Sequence, residues 1–440
     1  MNRYLIILFF ILAVYFARRA YIFKKQYKKY KKSSEANKKK LENQKNKIED
    51  LEQDIKAKLK KARNVHQRML PDNLAEPENF FISDYYQPAE YIGGDYYNFF
   101  KIDHGSLDPF FDQYLLYFFD VSGHGIDSTL LSIFVNESIE NYFRLRHNPG
   151  EKISTRELMN YIDHRYQNEE FPDDYLVCLF IAVLDNDQNT LSYSSGGFQY
   201  PVFKMSSDKE PEEINIGGLP ISTALGALAD SRKEKKINLN ENDSIFLSTD
   251  GLLEQSQGDR IYYHKLQKLL KKYKQLPAAF LKDLIKNDFY NFSNNKLAQD
   301  DVTFLIMEKA EGDILNYEFQ SSEIKEAKTE ISELIDKNLM ENSKNVNKFK
   351  EIVFNILAEV KNKLSIKAVN NQYYLLLSLE KKNINFKEYI NQYSDLISLA
   401  EADIQLNLES QKKFLSKDNI YISYNQNKER IFLMIMKKDF

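Results

Sequence analysis

Hydrophobic and polar residues are arranged in three different ways along this 440-residue chain. Fourteen consecutive apolar or aromatic residues run from Tyr4 to Ala17. Residues 24–70 are mostly polar, contain no glycine or proline, and carry apolar residues at every seventh position. From Pro71 to about Lys309, short apolar runs alternate with turn residues, a pattern that predicts a mixture of strands and helices.

The first apolar run resumes after Arg18 and Arg19 and reaches Phe23. A membrane-spanning helix needs ~20 residues, so residues 1–23 predict a single transmembrane anchor if the arginines snorkel to the interface. The basic residues follow the run, unlike those of a signal peptide, and the positive-inside rule then predicts an inner-membrane protein whose later residues are cytoplasmic. An interfacial helix held on anionic lipid is the alternative.

The seven-residue period in residues 24–70 predicts a coiled-coil helix that forms a homodimer. Apolar residues occupy one seam of this helix, namely Leu41, Ile48, Leu51, Ile55, Ala62, Val65 and Met69. Gln44 and Lys58 interrupt the seam, so a single solvated helix is the alternative.

The central region has the apolar pattern of an α+β domain, which we expect to span residues 71–310. Strands are predicted at Phe80–Tyr86, Asp95–Lys101, Tyr114–Asp120, Tyr175–Leu184, Thr190–Ser194, Tyr200–Lys204, Ser244–Ser248 and Val302–Glu308. Helices are predicted at Asp127–Arg146, Ser154–Tyr166, His264–Lys274 and Ala278–Asn287. Grouped strands with two pairs of helices favour sheets that are covered by helices.

Composition narrows the possible functions. The hydrophobic content of 43% is ordinary for a globular protein, and the net charge of −3 gives no reason to expect a nucleic-acid partner. Cys178 is the only cysteine and lies in an apolar run, so it is predicted to pack as a core residue and to form no internal disulfide.

Acidic residues stand at the edges of four apolar runs and are the main candidates for chemistry. These residues are Asp95, Asp120, Asp250 and the adjacent pair Asp300 and Asp301. Hard oxygen ligands favour magnesium or manganese over zinc, which prefers cysteine and histidine at spacings that this chain lacks.

The segments GGDYY, DVSGHG, STDGLLE and QDDVT, in this order, resemble the SpoIIE/RsbU-type branch of the metal-dependent (PPM, type 2C) serine/threonine protein phosphatases. The resemblance covers roughly residues 62–308. It implies an α-β-β-α sandwich, two Mn²⁺ or Mg²⁺ ions, and hydrolysis of phosphoserine or phosphothreonine. The expected substrate is a cytoplasmic regulatory protein of a bacterial partner-switching pathway, such as a STAS-domain anti-sigma-factor antagonist.

The same resemblance assigns roles to individual residues. Asp95 and Asp120 are expected to bridge the metals, and the carbonyl of Val121 is expected to be a backbone ligand. Asp250 and Asp300 are expected to complete one metal shell. His124 is a candidate general acid, with a structural histidine as the alternative.

The pair Asp300 and Asp301 cannot point both side chains into one site from an extended segment. The family pattern places the metal ligand at Asp300 and leaves Asp301 outside, so asparagine at 301 is expected to be tolerated.

Residues 313–440 contain no glycine and predict a small α+β domain with strands at Gln372–Leu379, Asn383–Phe386, Ile420–Tyr424 and Arg430–Met436. Glu351 and Asn355 resemble a magnesium box of the anti-sigma-factor-like ATPase domain. The glycine-rich loops that bring backbone amides close to phosphate are absent, so this tail is expected to bind a partner or pack on the chain, and not to bind ATP.

Two other functions are compatible with the sequence. One is a signalling scaffold in which the phosphatase fold and the tail are docking modules, although a scaffold needs no metal carboxylates. The other is a metal-dependent hydrolase of small phosphoesters.

Overall fold

The computed structural model describes most of the chain. The described residues are 2–71, 73–105, 111–123, 125–226, 232–294, 298–310, 313–319, 323–339, 344–358, 364–370, 374–380, 420–425 and 430–436. His124 and the predicted strand Asn383–Phe386 lie outside them. The chain divides into two compact units, Met1–Val65 and His66–Phe440.

The first unit is a single long helix, α1 (Asn2–Gln67). The absence of glycine and proline after residue 24 is consistent with an unbroken helix of this length. The predicted seam residues Leu41, Ile48, Leu51, Ile55 and Val65 are all exposed. The coiled-coil homodimer stays a prediction.

Within the described residues, no helix combines enough length with enough apolar side chains to cross a membrane. The predicted transmembrane anchor at residues 1–23 is therefore wrong, and so is the single-pass inner-membrane location derived from it. The reason is the length of the apolar run. Tyr4 to Ala17 amounts to roughly 21 Å of helix, against a hydrocarbon core of about 30 Å, and Arg18 and Arg19 then interrupt it.

The central region contains twelve strands and five helices among its described residues. The strands are β1 (Phe80–Gln87), β2 (Tyr96–Lys101), β3 (Gln113–Val121), β4 (Val177–Asp185), β5 (Thr190–Gly196), β6 (Val202–Met205), β7 (Glu212–Ile214), β8 (Lys235–Asn238), β9 (Ser244–Ser248), β10 (Ser256–Gln257), β11 (Arg260–Ile261) and β12 (Val302–Lys309). The α-helices are α2 (Ile126–Leu145), α3 (Thr155–Asn168), α4 (Asp250–Leu253), α5 (Tyr262–Tyr273) and α6 (Ala278–Phe292). A short 3₁₀ helix, Thr223–Leu225, is counted separately.

Ten of these strands form two five-stranded sheets. Sheet 1 has the order β1-β12-β9-β6-β7, and sheet 2 has the order β2-β3-β4-β5-β8. Helices α5 and α6 share a hydrophobic cluster with sheet 1, while α2 and α3 share another with sheet 2. A third cluster joins the facing sides of the two sheets. The predicted α-β-β-α sandwich is confirmed.

Strand β3 lies in the interior of this sandwich, which explains its unbroken apolar sequence. Leu116 and Phe118 belong to the cluster between the sheets, whereas Leu115, Tyr117 and Phe119 belong to the cluster under α2 and α3. Because successive side chains of a strand point to opposite faces, a strand covered on both faces needs apolar residues at every position.

Strand pairing brings the candidate aspartates to one end of the sandwich. Ser248, at the end of β9, pairs with Phe304 near the start of β12. Tyr96, at the start of β2, pairs with Phe119 near the end of β3. Both pairs are antiparallel, so the strand ends that carry the acidic residues lie next to each other within each sheet.

The tail contains β13 (Asp313–Phe319), α7 (Ile324–Asn338), α8 (Lys344–Ala358), β14 (Leu364–Asn370), β15 (Tyr374–Glu380), β16 (Ile420–Asn425) and β17 (Arg430–Met436). Its strands form one antiparallel sheet with the order β13-β14-β15-β17-β16. The strands predicted from sequence for this tail did not include β13 or β14.

The two faces of this tail sheet have different neighbours. Leu375 and Leu377 share a cluster with α7 and α8, while Tyr374 and Leu376 belong to the cluster that contains α5 and α6. The Tyr374 hydroxyl donates a hydrogen bond to Glu308 Oε1 at 3.0 Å. The tail is therefore packed directly on the central domain.

Candidate active site

Asp95 is the most deeply buried of the candidate ligands, with 1% of its surface exposed. It precedes β2, and its Oδ2 atom accepts hydrogen bonds from the hydroxyls of Thr249 (2.9 Å) and Thr303. Thr249 follows β9, and Thr303 lies at the start of β12. Two neighbouring strands of sheet 1, β9 and β12, thus position the hydroxyls that hold the Asp95 carboxylate. Asp95 itself directly precedes β2, the first strand of sheet 2.

Asp301 holds the turn in front of Asp95. Its Oδ1 accepts the backbone N–H of Ala89 at 2.8 Å, and its Oδ2 accepts that of Gly94 at 2.6 Å. A Cβ atom on Gly93 would lie 2.2 Å from Asp301 Oδ2, and one on Gly251 would lie 2.1 Å from the Asp301 carbonyl oxygen. These positions of the GGD and TDG motifs are glycine because the Asp301 segment approaches them closely.

Asp120 is the second-to-last residue of β3 and is partly buried. The Val121 carbonyl faces Gly94, since a Cβ on that glycine would lie 2.9 Å from the Val121 oxygen. Cys178 is the neighbour of Asp120 on β4, and its thiol donates to the Gly197 carbonyl at 3.3 Å. Burial and the nearby aspartates raise the pKa of Cys178 to about 12, so the thiol stays protonated and is a poor metal ligand.

Asp250 and Asp300 lie next to the ends of two strands of sheet 1. Asp250 is the first residue of α4 and follows Thr249, and Asp300 lies two residues before β12. The Asp300 Oδ1 atom accepts the Asp301 N–H at 2.8 Å, which caps the turn into β12.

The aspartates influence one another electrostatically, as expected of a common site. Burial, followed by the charges of Asp120 and Asp301, raises the pKa of Asp95 well above its ordinary value. Burial, followed by the charges of Asp250 and Asp300, does the same to the pKa of Asp120. Burial, with Asp300 and Glu254, raises the pKa of Asp250 to about 6. A cation would relieve this repulsion.

The oxygen-rich donor set fits magnesium or manganese by its chemistry. Within the described ranges, however, no three His, Cys, Asp or Glu side chains are grouped so that they could hold a metal ion as they stand. Carboxylates repel one another, and a cation between them offsets this repulsion. Side-chain movement at Asp120, Asp250 or Asp300 is therefore part of any metal-binding hypothesis.

Sequence reasoning did not single out the hydroxyl residues that support the site. Besides Thr249 and Thr303, these include Thr129 and Ser132 on α2, whose hydroxyls lie within hydrogen-bond distance of the Gly93 and Gly94 carbonyls. The sequence does contain one indication of their role: each threonine of STDG and DDVT lies within two residues of a candidate aspartate.

Residues 112–310 match the family model of Stage II sporulation protein E (SpoIIE). This region is therefore similar to the SpoIIE family. The match includes Asp120, Asp250 and Asp300, and the strand pairing described above adds Asp95 from outside it. The resemblance inferred from the four motifs is confirmed.

Two curated proteins are similar to more than half of the chain. The phosphoserine phosphatase RsbU of Bacillus subtilis is 23% identical over 263 residues, which are 59% of this chain and 72% of RsbU. Protein IcfG of Synechocystis is 22% identical over 279 residues, which are 57% of this chain and 41% of IcfG. Among solved structures, the PP2C domain of SiaA from Pseudomonas aeruginosa is 18% identical with a TM-score of 0.48, covering 58% of this chain and 98% of that domain.

Proposed function

We propose that this protein is a metal-dependent serine/threonine protein phosphatase that acts on a phosphorylated regulatory protein of a bacterial partner-switching pathway. The observation that carries this proposal is that the strand ends next to Asp95, Asp120, Asp250 and Asp300 lie at one end of a sandwich that matches the SpoIIE family model. The relative RsbU is named a phosphoserine phosphatase, which supports the same reaction.

Each aspartate has a proposed role toward two Mn²⁺ or Mg²⁺ ions. Asp95 and Asp120 would be shared ligands, the Val121 carbonyl would be a backbone ligand, and Asp250 and Asp300 would complete one shell. Bound divalent cations neutralise phosphate charge and make a water nucleophilic at neutral pH. Asp301 is proposed to stay outside, because its oxygens already accept backbone N–H groups.

Two further features of the site bear on how a phosphoserine would bind and react. Four carboxylates at one end repel a phosphate dianion, so binding of the substrate is expected to depend on the metals. His124 follows Asp120 by four residues and remains the candidate for protonating the leaving serine oxygen.

The substrate class and the assembly are further parts of the proposal. A STAS-domain antagonist phosphorylated on serine is the expected substrate. The exposed apolar seam of α1 supports a homodimer, since such residues are normally covered by a partner helix. The contacts of Tyr374 and Leu376 support a packing role for the tail.

A substrate panel tests the proposal. The full chain would be incubated with Mn²⁺ and several serine-phosphorylated STAS-domain proteins, with p-nitrophenyl phosphate as a small phosphoester. We expect release of phosphate from at least one phosphoprotein, and none when a chelator is present. Binding without release would favour the scaffold, and turnover of the small ester alone would favour a small-phosphoester hydrolase.

A further inference from the structure

Two threonines share one oxygen of the deepest carboxylate in the site. Thr249 and Thr303 both donate their hydroxyl hydrogen bonds to Oδ2 of Asp95. The two threonine side chains are buried, with 1% and 0% of their surfaces exposed, so water does not compete for these bonds. Asp95 is connected in this way to the ends of two neighbouring strands of sheet 1.

The direction of the Thr249 proton follows from its other contacts. Its oxygen accepts the backbone N–H of Thr303 at 3.2 Å, which directs its own proton elsewhere. The Asp95 carboxylate oxygen, at 2.9 Å, is nearer than the carbonyl oxygens of Asp301 and Thr303, both at 3.4 Å. Since hydrogen bonds to a carboxylate are also the stronger ones, Asp95 is the acceptor.

We propose that Thr249 and Thr303 are positioning residues that occupy Oδ2 of Asp95 and leave Oδ1 as its metal-binding oxygen. This inference rests on the proposed function. Two donors on one oxygen use up its accepting capacity and fix the plane of the carboxylate. Asp95 would then bind through one oxygen only.

Threonine suits this task better than serine. Its branched Cβ restricts the χ1 rotamer, so the hydroxyl is held in place when the strand is formed. Valine has nearly the same shape without the hydroxyl, and it leaves a buried carboxylate oxygen without its donor. Partners of metal ligands typically contribute about 10–100-fold to metal affinity.

Calorimetric titration of the full chain with Mn²⁺ tests the proposal. We expect Thr249→Val and Thr303→Val each to weaken Mn²⁺ binding by about tenfold or more. Thr249→Ser and Thr303→Ser should restore affinity to within about threefold of the wild type, because they keep the donor.

Thr155→Val is the matched control. Thr155, the first residue of α3, is also fully buried. Its hydroxyl is hydrogen-bonded to Ser194 on β5 and to Glu234, which directly precedes β8. Its loss should lower thermal stability and leave Mn²⁺ affinity unchanged. A loss of affinity that merely follows stability in all three valine variants would overturn the proposal.

The outcomes separate this inference from the proposed function. Failure of the wild-type protein to bind Mn²⁺ would contradict the metal site itself. Wild-type affinity in folded Thr249→Val and Thr303→Val variants would contradict only the role of the threonines. If a valine variant does not fold because its methyl group clashes with the carboxylate, the alanine variant at that position is used instead. It also lacks the hydroxyl, so its Mn²⁺ affinity tests the same role.

Discussion

The adjacent carboxylates Asp300 and Asp301 have different environments. Asp300→Asn should weaken Mn²⁺ activation severely and leave the fold intact, because it removes a proposed ligand charge. Asp301→Asn should instead lower the free energy of unfolding by about 1–3 kcal/mol, because its amide would face a backbone N–H in place of an acceptor. Mn²⁺ titration and thermal unfolding measure the two effects.

This prediction for Asp301 revises the expectation from sequence that asparagine would be tolerated there. The sequence shows that only one of two adjacent side chains enters the site, and it does not show what the other contacts. An Asp301→Asn variant as stable and as active as the wild type would restore the original expectation.

Asp250 gives the metal-free protein a pH dependence. Its folded-state pKa is about 6, above the ordinary value, so the folded protein holds a proton that the unfolded chain has already released. Stability is therefore lost as the pH rises through about 4 to 6, by roughly 2–3 kcal/mol for this group. In chelator, the change in unfolding free energy between pH 4 and 7 should be smaller in Asp250→Asn. Parallel pH profiles for the two proteins would contradict the assignment.

At the scale of elements, the strands that could be predicted from the sequence are the buried ones, because burial requires mostly apolar residues. β3 was predictable because both of its faces are covered, whereas β7 and β8 were not, because most of their residues are exposed and polar. The aspartates were found through motifs. Their supporting hydroxyls were not, because the bond from Thr303 to Asp95 joins residues 208 positions apart.

Helix α1 carries its own prediction. Ile48→Lys and Ile55→Lys should turn a dimer into a monomer, because each places charges in the apolar seam. Gln53→Lys, on the opposite side of the same helix, is the control and should leave the dimer intact. Sedimentation of the full-length protein at micromolar concentration measures this. A monomeric wild-type protein would show that α1 is a single solvated helix.

At the scale of the whole molecule, the tail and the central domain share a buried carboxylate. Glu308 accepts the Ala278 N–H at the start of α6 and the Tyr374 hydroxyl from β15. Tyr374→Phe should lower the free energy of unfolding by about 1–3 kcal/mol, because it leaves Glu308 Oε1 without this donor. Tyr161→Phe on α3 is the control in the same denaturant titration. Equal stability of the Tyr374 variant and the wild type would contradict the proposed packing role.

The central claim is that Asp95, Asp120, Asp250 and Asp300 form a metal-dependent phosphatase site. Its most direct test is the rate of Mn²⁺-dependent phosphate release from a serine-phosphorylated protein by the wild type, Asp120→Asn and Asp259→Asn. Asp259 is an exposed residue between β10 and β11 and serves as the control. We predict that Asp259→Asn keeps the wild-type rate, while Asp120→Asn loses at least about 100-fold with an unchanged fold. A wild-type rate for Asp120→Asn at saturating Mn²⁺ would contradict the account.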